Sequence, residues 1–400
     1  MLIELIIALV IGIIAGTFTG LSPGIHINLV AAILIASLAY FTQVPLIFLA
    51  VFIVSMSITH TFIDFIPSIF LGAPEEDSFL SLLPGHQLLL EGRGYEAFIL
   101  TLYGSIFAIP IILLFTPIFI FILPTLYELI KTIMPFLLIF LSLYIILRED
   151  NFILSSAIFI LAGFLGLFTF NLPVKEPLLP LLSGLFGLSG LITSLKSKTI
   201  PKKQSIVPLK KIKLEKKQFL KYGLASAIFS PLCSFLPGIG SSHAATLGSE
   251  FIKPDKRGFL FLVGSANTII MGLSYVAVYT INKSRTGTAA AVKEILKNIS
   301  SSDMMIILIA ILISGIISFF LAIFISKIFA KFLNKINYYA LTGVVIVILS
   351  LINIIFTNWL GLLVLITSAS LGTFTILSKS RRINLMAALI LPAIVYYLIN

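Results

Sequence analysis

Two short stretches of the 400-residue chain concentrate residue types able to hold an anion. The first runs from Gly16 to Asn28 and carries Gly20, Ser22, Pro23, Gly24 and His26 between apolar runs. The second runs from Ser230 to His243 and carries Pro231, Pro237, Gly238, Gly240, Ser241 and Ser242. Proline removes an amide hydrogen and stops an incoming helix. Glycine permits positive φ and close approach. Each stretch therefore ends one helix and begins another. The first amides of the new helix are free, and its dipole adds roughly +0.5 charge there. Two such helix heads facing each other would hold an anion without a buried lysine. On this reading Ser22, Pro23, Gly24, His26 and Asn28 line one side. Pro237, Gly238, Gly240, Ser241, Ser242 and His243 line the other. The competing reading is two simple helix kinks.

Other polar residues sit in apolar surroundings. His60 and Asp64 are four apart and share one helical face. They suit a proton relay or a cation site, or else a paired helix end near a membrane surface. Asn267 and Thr268 occupy the matching place in the second half and supply neutral oxygens of the kind sodium prefers. They complete a candidate ion-coupling set. Arg93 and Arg285 could each grip a carboxylate through parallel hydrogen bonds, or could be loop arginines. Ser241 or Ser242 beside His243 invites a hydrolase reading, but adjacent residues on a helix do not face each other. The four histidines and single cysteine, Cys233, give no metal-ligand spacing and no disulfide. The expectation is a non-enzyme with no cofactor and no metal, apart from a coupling Na+ or H+.

The elements that must position these residues are membrane helices. Apolar residues make up 59% of the chain and charged residues 11%, against about 25% charged in soluble domains. The mean hydropathy is +1.14. These values exclude a soluble enzyme, a disordered chain and a nucleic-acid-binding domain, despite the net charge of +11. Continuous apolar runs argue against a transmembrane barrel. The expected fold is all-α and polytopic, with about 10–12 spanning helices plus short broken or re-entrant ones. Helices are expected near 2–20, 27–41, 45–70, 96–123, 126–147, 152–170 and 178–194. The second half repeats the series near 219–236, 242–252, 258–281, 304–332, 338–356, 359–377 and 383–399. The N-terminus lacks the basic region of a signal peptide and reads as the first membrane helix.

The halves carry an internal repeat. Leu21-Ser22-Pro23-Gly24-Ile25-His26 parallels Phe235-Leu236-Pro237-Gly238-Ile239-Gly240. Thr59-His60-Thr61 parallels Ala266-Asn267-Thr268, and Gly92-Arg93-Gly94 parallels Ser284-Arg285-Thr286. If the first two helices of each half form a hairpin, each half crosses the membrane an odd number of times. The halves are then inverted, a signature of secondary transporters. The expected division is a first repeat at 1–195, a basic cytoplasmic linker at 196–217 and a second repeat at 218–400. Ten lysines and one acid, Glu215, lie between Lys196 and Lys221. With that run cytoplasmic, the loops near 72–95, 148–151, 253–257, 327–337 and 379–382 join it. Together they hold every Lys and Arg except Lys131, Lys175, Lys283, Arg285, Lys293 and Lys297, as the positive-inside rule requires.

The Gly16–Gly24 stretch resembles the first glycine-rich signature of the TctA family, the large permease subunit of tripartite tricarboxylate transporters. Leu236-Pro237-Gly238-Ile239-Gly240 resembles its second. Gly72-Ala73-Pro74, Leu83-Pro84-Gly85-His86 and Glu91-Gly92-Arg93-Gly94-Tyr95-Glu96-Ala97 are similar to its following loop. Ser183-Gly184-Leu185-Phe186-Gly187 is similar to the close of its first half, and Met386 with Pro392 to its last helix. The chain resembles a shorter, archaeal-type member, with His26 where a glycine is more usual. The resemblance implies a multi-pass cell-membrane permease for small organic anions of the di- or tricarboxylate type, driven by an ion gradient. It also implies a small membrane subunit and an extracytoplasmic binding protein as partners. The residues alone leave a second reading open, transport of a lipid-linked phosphate such as a polyprenyl-phosphate carrier.

Overall fold

The computed structural model describes residues 2–22, 27–36, 43–72, 82–197, 202–236, 240–335 and 337–399. The first half contains α1 (Leu2–Leu21), α2 (Ile27–Ala36), α3 (Leu46–Ile63), α4 (Leu82–Leu90), α5 (Gly94–Leu147), α6 (Phe152–Asn171), α7 (Leu178–Leu182) and α8 (Ser189–Ser197). The second contains α9 (Lys216–Cys233), α10 (Ser241–Ile252), α11 (Lys256–Ile281), α12 (Gly287–Leu296), α13 (Ser301–Leu333), α14 (Tyr338–Leu377) and α15 (Ala387–Ile399). No strand occurs among the described residues. Eight helical stretches among them are long and apolar enough to cross a bilayer. Their outward faces carry exposed Phe, Ile and Leu side chains, as a lipid-facing surface does.

Two of the helices are too long for a single crossing. α5 has 54 residues, about 80 Å if straight, against a hydrocarbon core of about 30 Å. Yet both its ends meet one face. Gly94 donates to Gln204 in the linker at 2.9 Å, and Arg148, just past the other end, pairs with Glu250 at the end of α10. The helix must therefore turn back, and it contains Pro110, Pro117, Pro124 and Pro135, residues that bend helices by removing internal hydrogen bonds. α14 doubles back at Asn358, whose φ is 68° and ψ −173°. That break falls in the gap expected between 338–356 and 359–377.

The loops grouped by their charge do meet on one face. Gln204 Nε2 donates to Leu89 O at 2.8 Å, and its backbone N–H donates to Asn334 at 2.6 Å. Lys256 pairs with Glu91 and Arg257 with Glu96. Arg381 pairs with Glu149 and Glu250.

Helix directions follow from the contacts. On α1, Gly12 faces Phe52 and Ser55, Gly16 faces Met56 and Thr59, and Gly20 faces Ile63. α1 and α3 thus run parallel, and the glycines at every fourth position let the two backbones touch. A Cβ at Gly16 would lie 2.3 Å from Met56 O. α9 and α11 also run parallel, since Tyr222 packs on Gly258 and Ser226 bonds Ser265 at 2.5 Å. α10, between them, starts inside the protein and ends at the linker face beside Arg148. Its 12 residues span about 18 Å, too few to cross.

α3 and α11 cross antiparallel at the centre. Ser57 bonds Tyr275 at 2.5 Å, Thr61 bonds Thr268 at 3.1 Å, and Asp64 accepts from Asn267 at 2.9 Å. Rising numbers on one helix meet falling numbers on the other.

Two short helices, α4 and α12, stand where loops were expected. A search for runs of about 20 apolar residues passes over them. α12 is ten residues long and amphipathic. It buries Thr288, Ala289, Ala291, Val292 and Ile295, and its N-cap Thr286 accepts from Ala289 N–H at 3.1 Å.

Candidate functional site

The second broken stretch builds the site. α9 ends at Cys233, which is buried. Ser234 ties the helix end by donating to Pro231 O at 2.7 Å. The chain re-enters a helix at Gly240, whose extended backbone (φ −93°, ψ −176°) caps α10. The Gly240 N–H donates to Nδ1 of His243 at 3.1 Å. An Nδ1 that accepts must be unprotonated, so the ring proton of the neutral imidazole sits on Nε2. His243 is 2% exposed, and its Nε2 has no hydrogen-bond partner among the described residues. Phe235 and Leu236 beside the break are also buried.

Arg285 reaches this place from the α11–α12 connection. Thr286 bonds back to Ser274 at 3.1 Å, so the chain dips inward alongside α11 after that helix has ended. The Arg285 guanidinium acts electrostatically on both His243 and Cys233. Its Nε is buried and has no hydrogen-bond partner among the described residues. Two N–H donors, one of them cationic, therefore lie within electrostatic reach of each other near the head of α10. Buried donors are nearly always paired, and an unmade bond there is costly. α12, with Arg285 at its head, also packs on α2 of the first broken stretch.

The remaining candidates fall in several places. Pro23, Gly24 and His26, like Pro237 and Gly238, lie outside the described residues. Asn28 and Ser242 lie on the described backbones of α2 and α10, with side chains outside the description. Ser22 closes α1, its N–H donating to Thr19 O at 3.3 Å. Ser241 is buried at the start of α10.

Arg93 is not brought to Arg285. It forms a two-pronged pair with Glu96 at 2.9 and 2.8 Å and reaches Glu91 at 3.5 Å on the linker face. Glu96 thereby pushes the Arg93 pKa up from its ordinary value. Nor are the two arginines equivalent in element order. The spacing of 207 residues that joins Thr61 to Thr268 also relates Gly94, opening α5, to Ser301, opening α13. On that spacing Arg93 falls on Ser300. The likeness of the two short Arg triplets misleads because α4 and α12 lie between them in the series.

The ion-coupling candidates do meet, about the α3–α11 crossing. Asp64 is 1% exposed and His60 3%. His60 Nδ1 contacts Thr19 Oγ1 of α1 at 3.1 Å, and Asn267 Nδ2 donates to Asp64 Oδ2. Asp64 is therefore no surface helix end. It caps α3 just before a π-helical turn over Pro67–Leu71, a distortion common at functional sites. Thr61, matched to Thr268 by the internal repeat, meets it here at 3.1 Å, and Thr19 and Tyr275, which were not named as site residues from the sequence, complete this polar seam. Only the three-dimensional crossing relates them.

A family model described as the tripartite tricarboxylate transporter TctA family matches residues 6–387. The chain belongs to the TctA family. It is therefore a multi-pass membrane protein of a transporter family, as the resemblance of its paired glycine-rich stretches implied. The chain is also 32% identical to the uncharacterized protein MJ1079 of Methanocaldococcus jannaschii over 397 residues, which cover 95% of each chain. No solved structure matches it.

Proposed function

We propose that the chain is a secondary-active permease for small organic anions of the di- or tricarboxylate type. The observation that carries this reading is a pair of buried donors near the head of α10, His243 Nε2 and Arg285 Nε, with no hydrogen-bond partner among the described residues. A carboxylate there accepts from both and meets the positive end of the helix dipole. The apolar surroundings strengthen each contact by excluding water. Membership of a tricarboxylate-transporter family supports the substrate class.

The two halves act as inverted repeats about the basic linker, which lies on the cytoplasmic side. Support comes from the parallel α1–α3 and α9–α11 pairs and from the antiparallel α3–α11 crossing, where Thr61 meets Thr268. Alternating access then follows from rocking one half against the other around the site. Asp64, His60, Asn267 and Thr268 form the coupling site for Na+ or H+. A small membrane subunit and an extracytoplasmic binding protein are the partners that the family name makes relevant.

The test is a thermal-shift screen of detergent-purified protein. The panel holds di- and tricarboxylates, inorganic phosphate and a soluble short-chain polyprenyl phosphate, each with and without sodium. A ligand at 100 times its Kd adds about 2.7 kcal/mol to the folded state. Stabilisation by a carboxylate supports the reading. Stabilisation by the prenyl phosphate alone moves the same site to lipid-carrier transport and overturns the carboxylate assignment.

A further inference from the structure

A quartet of charged side chains lies at the linker end of α10, outside the anion site. Arg148 pairs with Glu250. Arg381 pairs with Glu149 at 2.5 Å and with Glu250 at 3.3 Å. The four residues come from three separate segments: the end of α5, the last turn of α10, and the turn leading into the final helix. The arginines are 48% and 42% exposed, whereas Glu250 and Glu149 are 15% and 6% exposed. The network thus has exposed arginines outside and half-buried glutamates inside.

A narrow cleft connects this network to the site. His243, Thr246 and Glu250 of α10 line it, facing Tyr144, Arg148 and Arg381. His243, Thr246 and Glu250 recur at helical spacing along one face of α10. Seven residues of helix set Glu250 about 10 Å from His243. The cleft volume is about 10 Å³, room for a single water and none for a carboxylate. An anion moving along it from His243 toward the linker face would meet Glu250, held there by Arg148 and Arg381.

We propose that Arg148, Glu149, Glu250 and Arg381 form the linker-side gate of the anion path, closed in this conformation. The gate locks the re-entrant helix α10 to α5 and to the turn before α15. Release of Glu250 frees the end of the helix whose other end carries His243. One conformational step then opens the cleft and changes the surroundings of the site. The proposal rests on the reading of the His243–Arg285 neighbourhood as the anion site, and its test separates the two.

Cys233 is the chain's one cysteine and lies buried at the end of α9, within the electrostatic reach of Arg285, so it reports access to the site. The full chain is reconstituted, and a membrane-impermeant anionic methanethiosulfonate is applied from the linker side. Wild type should label slowly. Glu250→Gln and Arg381→Gln should each raise the labelling rate tenfold or more. Glu96→Gln, which removes a carboxylate from the same face outside the cleft, should stay within twofold of wild type. Raising the salt from 0.1 to 1 M shortens the screening length from about 10 to about 3 Å and should speed labelling of wild type itself. Wild-type rates in a folded Glu250→Gln protein, an equal rise in Glu96→Gln, or no salt response in wild type would each overturn the gate. Protection of Cys233 by citrate in Glu250→Gln supports the site reading independently. Faster labelling without protection by any di- or tricarboxylate leaves the gate standing and removes the carboxylate assignment.

Discussion

Replacing Arg285 with glutamine separates a ligand-binding arginine from a structural one. The Arg285 Nε is buried and has no hydrogen-bond partner among the described residues. A buried donor left unpaired costs about 1–3 kcal/mol, so its removal should not destabilise the unliganded fold. Binding should respond differently. A hydrogen bond to a charged group contributes about 1.5–3 kcal/mol, and every 1.4 kcal/mol is tenfold in Kd. Arg285→Gln should therefore weaken carboxylate binding about 10- to 100-fold. The assay is thermal unfolding in detergent across a citrate titration, which yields the midpoint of the unliganded protein and the apparent Kd together. The expected result is an unchanged or raised midpoint with a weakened Kd. A midpoint lowered by several degrees with citrate affinity intact would refute the reasoning, because it would make Arg285 a structural residue.

Asp64→Asn should keep substrate exchange but lose gradient-driven accumulation, measured as uptake into proteoliposomes with and without an imposed ion gradient. Unchanged accumulation removes Asp64 from coupling. Gly16→Ala places a Cβ 2.3 Å from Met56 O and should cost about 1–3 kcal/mol by overpacking, read as a lower unfolding midpoint. An unchanged midpoint contradicts the close α1–α3 approach. Arg93→Gln breaks the two-pronged pair with the buried Glu96, which keeps Arg257 as a partner, and should leave citrate affinity at the wild-type value. A weakened affinity would return Arg93 to the site.

Much of the scaffold was legible because membranes impose a simple rule. A spanning helix needs about 20 apolar residues, so the long helices and the break near Asn358 could be read directly. The short length of α10 and the Pro-Gly stretches pointed to re-entrant backbone for the same reason. α4 and α12 escaped because they are short and owe their stability to packing and capping, not to apolar length. The site itself was half legible. His243 and Arg285 were visible as residue types, but not that the Gly240 amide sets the histidine tautomer. The pairing of Arg93 with Arg285 failed because a three-residue likeness carries no register. The Asp64–Asn267 bond joins residues 203 apart, and the charged quartet joins three separate segments. Such contacts arise from helix packing, which local patterns do not encode.

The most direct test of the central claim is uptake of labelled citrate and succinate by the reconstituted wild-type chain, beside Arg285→Gln and His243→Ala, under sodium or proton gradients. The account predicts gradient-driven accumulation of at least one of these anions by wild type, with both variants inserted but impaired at matched protein levels. Accumulation by the two variants at the wild-type rate and KM would contradict it.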